Sequence, residues 1–519
     1  MQKMSKIPYL YRDPDWLIVN KAVGLPVQTA NFWEPGLVEW IELHHGLELY
    51  ACSELEKDAS GVLVLARSPQ AGNEAQRFCE QALARNIYYF ISDRETPGGK
   101  TWICRRPLDG ETCETSFEFL KEQNGYSLYR AEVVHEGSQQ IRRHAAASGL
   151  PILGDRECGG THFPRLCLHC GEVRWPGLSK AVSIEIPQSF HWLLAGRERM
   201  LVEAAVAYER RLDWLSGITD AFRCIHRGEL QGRPLAIDRF GAWLCVTGFD
   251  EKLPSKNLRA SLEPVLDYLQ ELFGCQGGVI RTNRRDPHRR KLFGDVMNWG
   301  KKLPETFLVR EHGLIFEVAL NGSQHVGLFL DQRDSRRRIG LMAQGKRVAN
   351  LFSFTCSFSA VALKSSAEVV CSIDLAAGSL ARGKRNFAQN NLGETGRGKF
   401  IREDVQKWLA RQKRKKRANP TAFQAWDVVV CDPPVFASSG KGRSFSVKEA
   451  WPELAGSVRS ILSANGIAIF SNNHRGGDEA YYFSELTKHF STVSRMRPPL
   501  DFPELPGLAA HVRMYWCEV

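Results

Sequence analysis

Three acids stand where strand-like runs give way to turns. Asp374 closes the run 368–374, Asp404 closes 399–404, and Asp432 opens the rigid turn Asp432-Pro433-Pro434 after 426–431. If these runs are strands of an open α/β sheet, their carboxyl ends are where a ligand binds. An acid ending the second strand can take both hydroxyls of a ribose. One after the third can accept from an adenine amino group, and an Asp-Pro-Pro turn can hold its carboxylate and carbonyls at a reactive centre. A second acidic group lies far upstream, in Glu54-Leu55-Glu56-Lys57-Asp58 before Ser60-Gly61 and the apolar run 62–66. Glu56 could be a general base or a solvated charge, and nothing local decides between them.

The elements that must carry these residues follow from pattern. Strands are expected at 347–352, 368–374, 399–404, 426–432 and 466–472, with helices over 376–391 and 446–462 between them. Such alternation predicts a parallel sheet with helices on both faces, a Rossmann-like arrangement. The region 221–320 reads as a small α/β domain: strands at 234–238 and 242–247 around the turn 239–241, a helix over 258–273 stopped by Gly274, and strands at 278–281 and 314–320. Residues 1–190 carry short strand patterns broken by Gly and Pro, and 191–220 is a charged, partly helical linker. The expected fold is therefore mixed, α/β with α+β, in several domains, with the last spanning 321–519.

At 519 residues the chain is too long for one core. No apolar run approaches the roughly 20 residues needed to cross a bilayer, and the first residues enter a strand pattern without a signal-peptide core, so a cytoplasmic protein with no membrane partner is expected. The 14 cysteines are scattered, mostly in apolar runs, which predicts reduced thiols. Cys167-Leu-His-Cys170 has no second pair at zinc spacing, so no metal is expected. A net charge of +11 points to a polyanionic partner, and Lys413, Arg414 and Lys415 lie in the densest basic run, Arg411 to Arg417. No GxxxxGK[ST] or post-strand GxGxxG phosphate loop occurs, so the strand-end acids favour S-adenosylmethionine over other nucleotides.

The motifs "GLFLDQRDSRR" (327–337), "NLFSFTCSFSAVAL" (350–363), "CDPPVFASS" (431–439) and "FSNNHRGG" (470–477) resemble those of class I methyltransferases acting on bacterial large-subunit ribosomal RNA. The block 220–244 resembles the small domain that precedes catalysis in that group. The resemblance implies a cofactor site made by Asp331, Arg333, Asn350, Phe352, Thr355, Asp374, Asp404 and Asp432. One departure is Thr355-Cys356-Ser357-Phe358, where the family usually has glycines that allow close approach to the cofactor.

Three target atoms are chemically separable. Cytosine C5 needs a thiolate adding to C6, yet the position used in the C5-methylating branch reads Ser471-Asn472-Asn473. Exocyclic amines, including guanine N2, are usually served by an aromatic residue directly after Pro-Pro, whereas Val435 stands there and Phe436 comes one position late. Guanine N7 is an in-plane lone pair that needs only positioning and electrostatics. "FSNNHRGG" and "DPPVFASS" resemble segments of the guanine-N7 domain acting on 23S ribosomal RNA. This implies a catalytic set of Asp432, Pro433, Pro434, Phe436 and Asn472, with Arg475 on phosphate or base.

Residues 7–185 resemble pseudouridine synthases, through "YLYRDPDWLIVNKAVGLPVQ" (9–28), "SQQIRRHAAASGLPILGDRECGG" (138–160) and "RLCLHC" (165–170). Their catalytic motif, His-Arg-Leu-Asp-Lys-Asp-x-Ser-Gly, reads here Ser53-Glu-Leu-Glu-Lys-Asp-Ala-Ser-Gly61. The essential aspartate falls on Glu56 and the adjacent arginine on Glu54, while Tyr88 and Arg142 remain, Arg142 as an expected RNA contact. The expectation is a degenerate synthase site on a retained RNA-binding scaffold. The leading reading is thus a ribosomal RNA methyltransferase acting before full subunit assembly. Its alternatives are a bifunctional enzyme that also isomerises uridine and a non-enzymatic assembly factor. The oligomeric state is left open.

Overall fold

The computed structural model describes residues 9–28, 36–53, 55–81, 83–94, 99–133, 137, 139–211, 214–249, 254–282, 295–321, 326–393, 396–439, 443–474, 477–503 and 512–519. Glu54 and Arg475, both expected site residues, lie outside them.

Residues 9–183 build a ten-stranded mixed sheet whose main path runs Tyr9–Arg12, Trp16–Lys21, Ser60–Ala66, Leu168–Arg174, Arg85–Ser92, Tyr126–Val133, Thr115–Gln123 and Thr101–Cys104. Ser60–Ala66 and Leu168–Arg174 run parallel. At their junction Gly61 has φ +123°, and a Cβ there would lie 2.1 Å from the Cys170 carbonyl oxygen. Only glycine lets the two strands meet, so the Ser-Gly pair after the acidic loop is a packing requirement. Cys170 sits within that strand and Cys167 just before it, both buried.

Helices Gln188–Leu194 and Arg199–Glu209 follow and are bonded to both neighbours. Glu209 accepts from Arg165 Nη1 at 2.7 Å, and Arg210 reaches the Pro164 carbonyl (2.6 Å) and Glu229 (2.8 Å). A five-stranded sheet comes next, ordered Ala221–Ile225, Leu235–Phe240, Trp243–Gly248, Gly277–Thr282 and Val296–Gly300, and covered by helix Ser255–Phe273. Arg239 and Phe240 extend the second strand, so the expected turn at 239–241 is tighter and centres on Gly241. The hairpin Phe307–Glu311 and Leu314–Val318 leads into the last unit.

That unit opens with helix α1 (Arg333–Met342). Strands β1 (Arg347–Leu351), β2 (Val369–Asp374), β3 (Gly398–Arg402), β4 (Trp426–Cys431) and β5 (Leu462–Asn472) then alternate with α2 (Ser357–Lys364), α3 (Ala377–Gln389), α4 (Val405–Ala418) and α5 (Val447–Ile461). After α6 (Glu479–Thr487) come β6 (Thr492–Met496) and β7 (Arg513–Glu518). The order is β3-β2-β1-β4-β5-β7-β6. β1 to β5 are parallel, as expected, whereas β7 is antiparallel to both β5 and β6. These last two strands are not legible in the sequence as a pair, because β7 returns without the crossover helix whose pattern marks a parallel strand. One face is packed by α1, α2 and α3 (Ile339, Leu363, Phe387) and the other by α4, α5 and α6 (Trp408, Trp451, Tyr482). Among the described residues no helix is long and apolar enough to cross a membrane.

Candidate functional site

Strand order reverses between β1 and β4, and the crevice beyond their carboxyl ends is the expected ligand position. Asp374 ends β2. Its Oδ2 accepts from Phe354 N and its Oδ1 from Ala376 N, each at 2.8 Å. Both oxygens keep lone-pair capacity for ribose hydroxyls. Burial raises the Asp374 carboxyl above its usual range. The next residue, Leu375, is 55% exposed and offers an apolar face to an adenine ring. Asp404 falls two residues beyond β3 and caps α4, accepting from Lys407 N at 3.0 Å.

The loop after β1 carries the departure from glycine. Phe352, Phe354 and Cys356 have φ of 56°, 47° and 62°, a left-handed conformation costing roughly 1–2 kcal/mol per non-glycine residue. Surrounding bonds hold it: Thr355 Oγ1 donates to the Gly327 carbonyl (2.6 Å), and Asn386 Nδ2 to the Thr355 carbonyl (3.0 Å). The Cys356 thiol is fully buried against α3, where a Cβ on Gly383 would come within 2.5 Å of Sγ. The larger residue is thus absorbed by a glycine on the neighbouring helix. Asn350 Nδ2 donates to Ser359 Oγ at 2.9 Å, which braces the loop, and the Phe352 ring packs 5.7 Å from Phe445. A nucleoside cofactor fits this set, with Asp374, Leu375 and the loop backbone converging at the ends of β1 and β2.

At the end of β4, Asp432 Oδ1 accepts from Ser471 Oγ at 2.6 Å. Burial drives its carboxyl up to about 7; the Ser471 hydrogen bond opposes this, and the negative charge of Asp331 adds to it. Asp331, in the short turn Leu330–Gln332, is itself raised to about 6 by burial, against the pull of Arg223 and Arg336. Two acids near neutrality therefore share one region. Asn472 is fully buried. Its Oδ1 accepts from His474 N at 3.2 Å, while its Nδ2 and Gln332 Oε1 have no hydrogen-bond partner among the described residues. Pro433 is buried and Pro434 exposed. Phe436 is 70% exposed at the start of the hairpin Phe436–Ser439 and Arg443–Ser446, with its ring 6.2 Å from His474.

Two expected residues do different work. Arg333 is fully buried, donating to both oxygens of Asp501 (2.6 and 3.1 Å) and to the Ala221 carbonyl (2.8 Å). Its terminal nitrogens are spent on clamping the Ala221 strand of the middle unit to Asp501. Arg142, expected to touch RNA, is held bidentately by Asp155 (2.8 and 2.6 Å), with further bonds to Glu56 (2.7 Å) and Glu157 (2.8 Å). No phosphate can displace three carboxylates cheaply. Glu56 thus ends in an ion pair, although burial still raises its carboxyl. Tyr88 lies buried on strand Arg85–Ser92, one strand removed from Ser60–Ala66. In the basic run, Arg414 and Lys415 are exposed on α4, while Lys413 reaches Ser457 at 3.4 Å. Ser471, Gln332 and Leu375 join the site only in the folded chain. For Leu375 the sequence does hold a signal, an apolar residue directly after a strand-end acid.

Comparison with known proteins places two families along the chain. Residues 233–513 match the family model for S-adenosylmethionine-dependent methyltransferases, and residues 15–147 match that for RNA pseudouridylate synthases. The chain is 32% identical over 278 residues to ribosomal RNA large subunit methyltransferase K of Neisseria meningitidis, covering 52% of this chain and 73% of that protein. It is 31% identical over 275 residues to ribosomal RNA large subunit methyltransferase K/L of Alteromonas mediterranea, covering 52% of this chain but only 37% of the relative. The chain thus spans about two fifths of the length of the K/L relatives it matches. A Streptococcus mutans structure described as a SAM-dependent methyltransferase shares the fold, with a TM-score of 0.51 at 22% identity, over 66% of this chain and 86% of that one. With residues 233–513, more than half of its length, matched by that model, the chain belongs to the S-adenosylmethionine-dependent methyltransferase family.

Proposed function

We propose that the protein methylates guanine N7 in large-subunit (23S) ribosomal RNA. The observation that carries this is a buried Asn472 whose Nδ2 has no partner among the described residues, on the strand whose preceding residue, Ser471, bonds the Asp432 carboxyl. Guanine offers one acceptor, O6, beside two donors, N1–H and the N2 amine. A carboxylate and an amide N–H complement that edge and leave N7 free. When bound, S-adenosylmethionine supplies an electrophilic methyl group. The chain's task is to hold the base in plane, with Phe436 as an exposed stacking surface and Asp432 and Asp331 favouring the positive charge that develops on the purine. The C5 route lacks support, since Cys431 is fully buried in β4 and burial pushes its thiol far above the ordinary value.

Ribosomal RNA as substrate is supported by the names of the relatives and by the exposed cations of α4. In this reading residues 321–519 perform the chemistry, 221–320 and the basic face of α4 hold RNA, and 1–190 form a docking unit that no longer isomerises uridine. The capture of Glu56 by Arg142, beside the charge reversal at Glu54, supports that last point. The test is purified protein with labelled cofactor and undermodified ribosomal RNA. Label in 7-methylguanosine is expected, and label in 5-methylcytidine or N2-methylguanosine refutes the target atom. New pseudouridine, lost on Glu56→Ala, refutes the inactive docking unit.

A further inference from the structure

The synthase-like unit touches the methyltransferase unit at a defined point. Helix Leu37–His45 ends against α1. Arg337 Nε donates to the Leu43 carbonyl at 2.8 Å, and Nη2 lies 3.5 Å from the His44 carbonyl. A cation at the carbonyl end of a helix is favourably placed. The His44 ring stacks on His312, with centroids 5.1 Å apart and planes 5° from parallel, and His44 Nδ1 is 3.2 Å from His312 Nε2. On its other side, His44 Nε2 is 3.4 Å from Asp334 Oδ1, an ion-pair distance. The contact is anchored behind by Trp40, whose ring is 4.4 Å from His44 and edge-on to Trp214 at 5.5 Å.

α1 is the element directly after Leu330–Gln332, which carries Asp331 and the unpartnered Gln332 Oε1. Two further buried clamps hold α1: Arg333 on Asp501, and Arg336 on both oxygens of Glu311 (2.7 and 2.9 Å) with Nη1 on the Phe329 carbonyl (2.8 Å). The helix is thus pinned from the sheet edge, from the preceding hairpin and from the synthase-like unit. Each pin acts within two turns of Asp331. A tilt of α1 moves Asp331 relative to Asp432.

We propose that His44 is a positioning residue for methyl transfer, so that the synthase-like unit braces α1 and sets Asp331 and Gln332 at the acceptor pocket. This rests on the methyltransferase reading above and assigns the N-terminal unit a part in catalysis separate from RNA docking. His44 is buried against Trp40, His312 and Asp334; it works through Asp334 and α1.

The test uses the intact chain with His44→Ala, Asp334→Asn, the double variant and His44→Gln. Three quantities are read: single-turnover methyl transfer at saturating RNA, the RNA KM, and S-adenosylmethionine affinity by calorimetry. His44→Ala is expected to lower the transfer rate about tenfold with RNA KM unchanged, as small misplacements do. It should weaken cofactor binding about threefold, within the range for coupling through a packed network. The double variant should lose no more than the worse single one, and His44→Gln, which keeps an N–H toward Asp334, should recover most of the loss. Unchanged rate and affinity overturn the proposal. So does a loss that follows the unfolding midpoint and is not recovered by glutamine, which marks the contact as packing alone. Wild-type protein that binds the cofactor but methylates no RNA refutes the activity reading instead, and the affinity series still decides the brace.

Discussion

Asp432→Asn separates stability from function at one atom. The wild-type carboxyl is held at about 7 against an ordinary 3.8, chiefly by burial. At 1.36 kcal/mol per pKa unit this gap corresponds to about 4 kcal/mol; because Asp432 is only half-buried, we take about 2–3 kcal/mol after solvent screening. The sign follows from proton binding. Below pH 4 the group is protonated in both states. As pH rises toward 7 the unfolded chain releases its proton first, so this contribution to stability falls, and above 7 it is gone. Asparagine imitates the neutral acid at every pH. The variant should therefore match wild type near pH 3 and be more stable by about 2–3 kcal/mol at pH 8.5. Methyl transfer should fall on the order of 100-fold through loss of the negative acceptor, while the wild-type rate climbs with pH through about 7. Urea unfolding at both pH values, beside single-turnover assays, measures each quantity. Parallel stability profiles for the two proteins would refute the burial argument, and an unchanged rate would remove Asp432 from the acceptor site.

Two further outcomes follow from packing. Gly383→Ala within α3 would ordinarily stabilise a helix by about 1 kcal/mol. Here the new methyl meets Cys356 Sγ, so it should destabilise by about 1–3 kcal/mol, and the sign should reverse in a Cys356→Gly background; chemical denaturation of the four proteins checks this. Asp501→Ala takes the bidentate partner from the fully buried Arg333 and should cost about 3–5 kcal/mol, whereas Asp501→Asn should cost less, measured by the same method.

Much of the site is legible in the sequence, and the reason is geometric. Asp374 and Asp432 follow β-branched runs whose parallel pairing buries both faces, so the first acid after the run marks the strand's end. Asp404 sits on the turn that the pattern indicates, but its side chain serves the first turn of α4 and so belongs to the next element. The helix-strand alternation likewise reveals β1 to β5. It does not reveal β6 and β7, whose antiparallel return needs no crossover. Arg333 and Arg142 look like ligand-binding residues in the sequence because an arginine in a motif has a type and a position but no partner until the chain folds. Their partners, Asp501 and Asp155, lie 168 and 13 residues away.

Residue type and local order are therefore enough to establish a cofactor-binding α/β sheet, the order of its acids, and a rewritten acidic loop at Glu56. These are properties of short segments, where side-chain period and turn chemistry act over a few residues. Tertiary structure decides everything that depends on burial and long-range proximity: the near-neutral Asp331 and Asp432, the Asn472 Nδ2 that has no partner among the described residues, the ion pair that occupies Glu56, and the His44 contact through which the first unit grips the last. A carboxyl's proton affinity and an arginine's availability are set by the dielectric and the charges around them, and those neighbours come from distant parts of the chain.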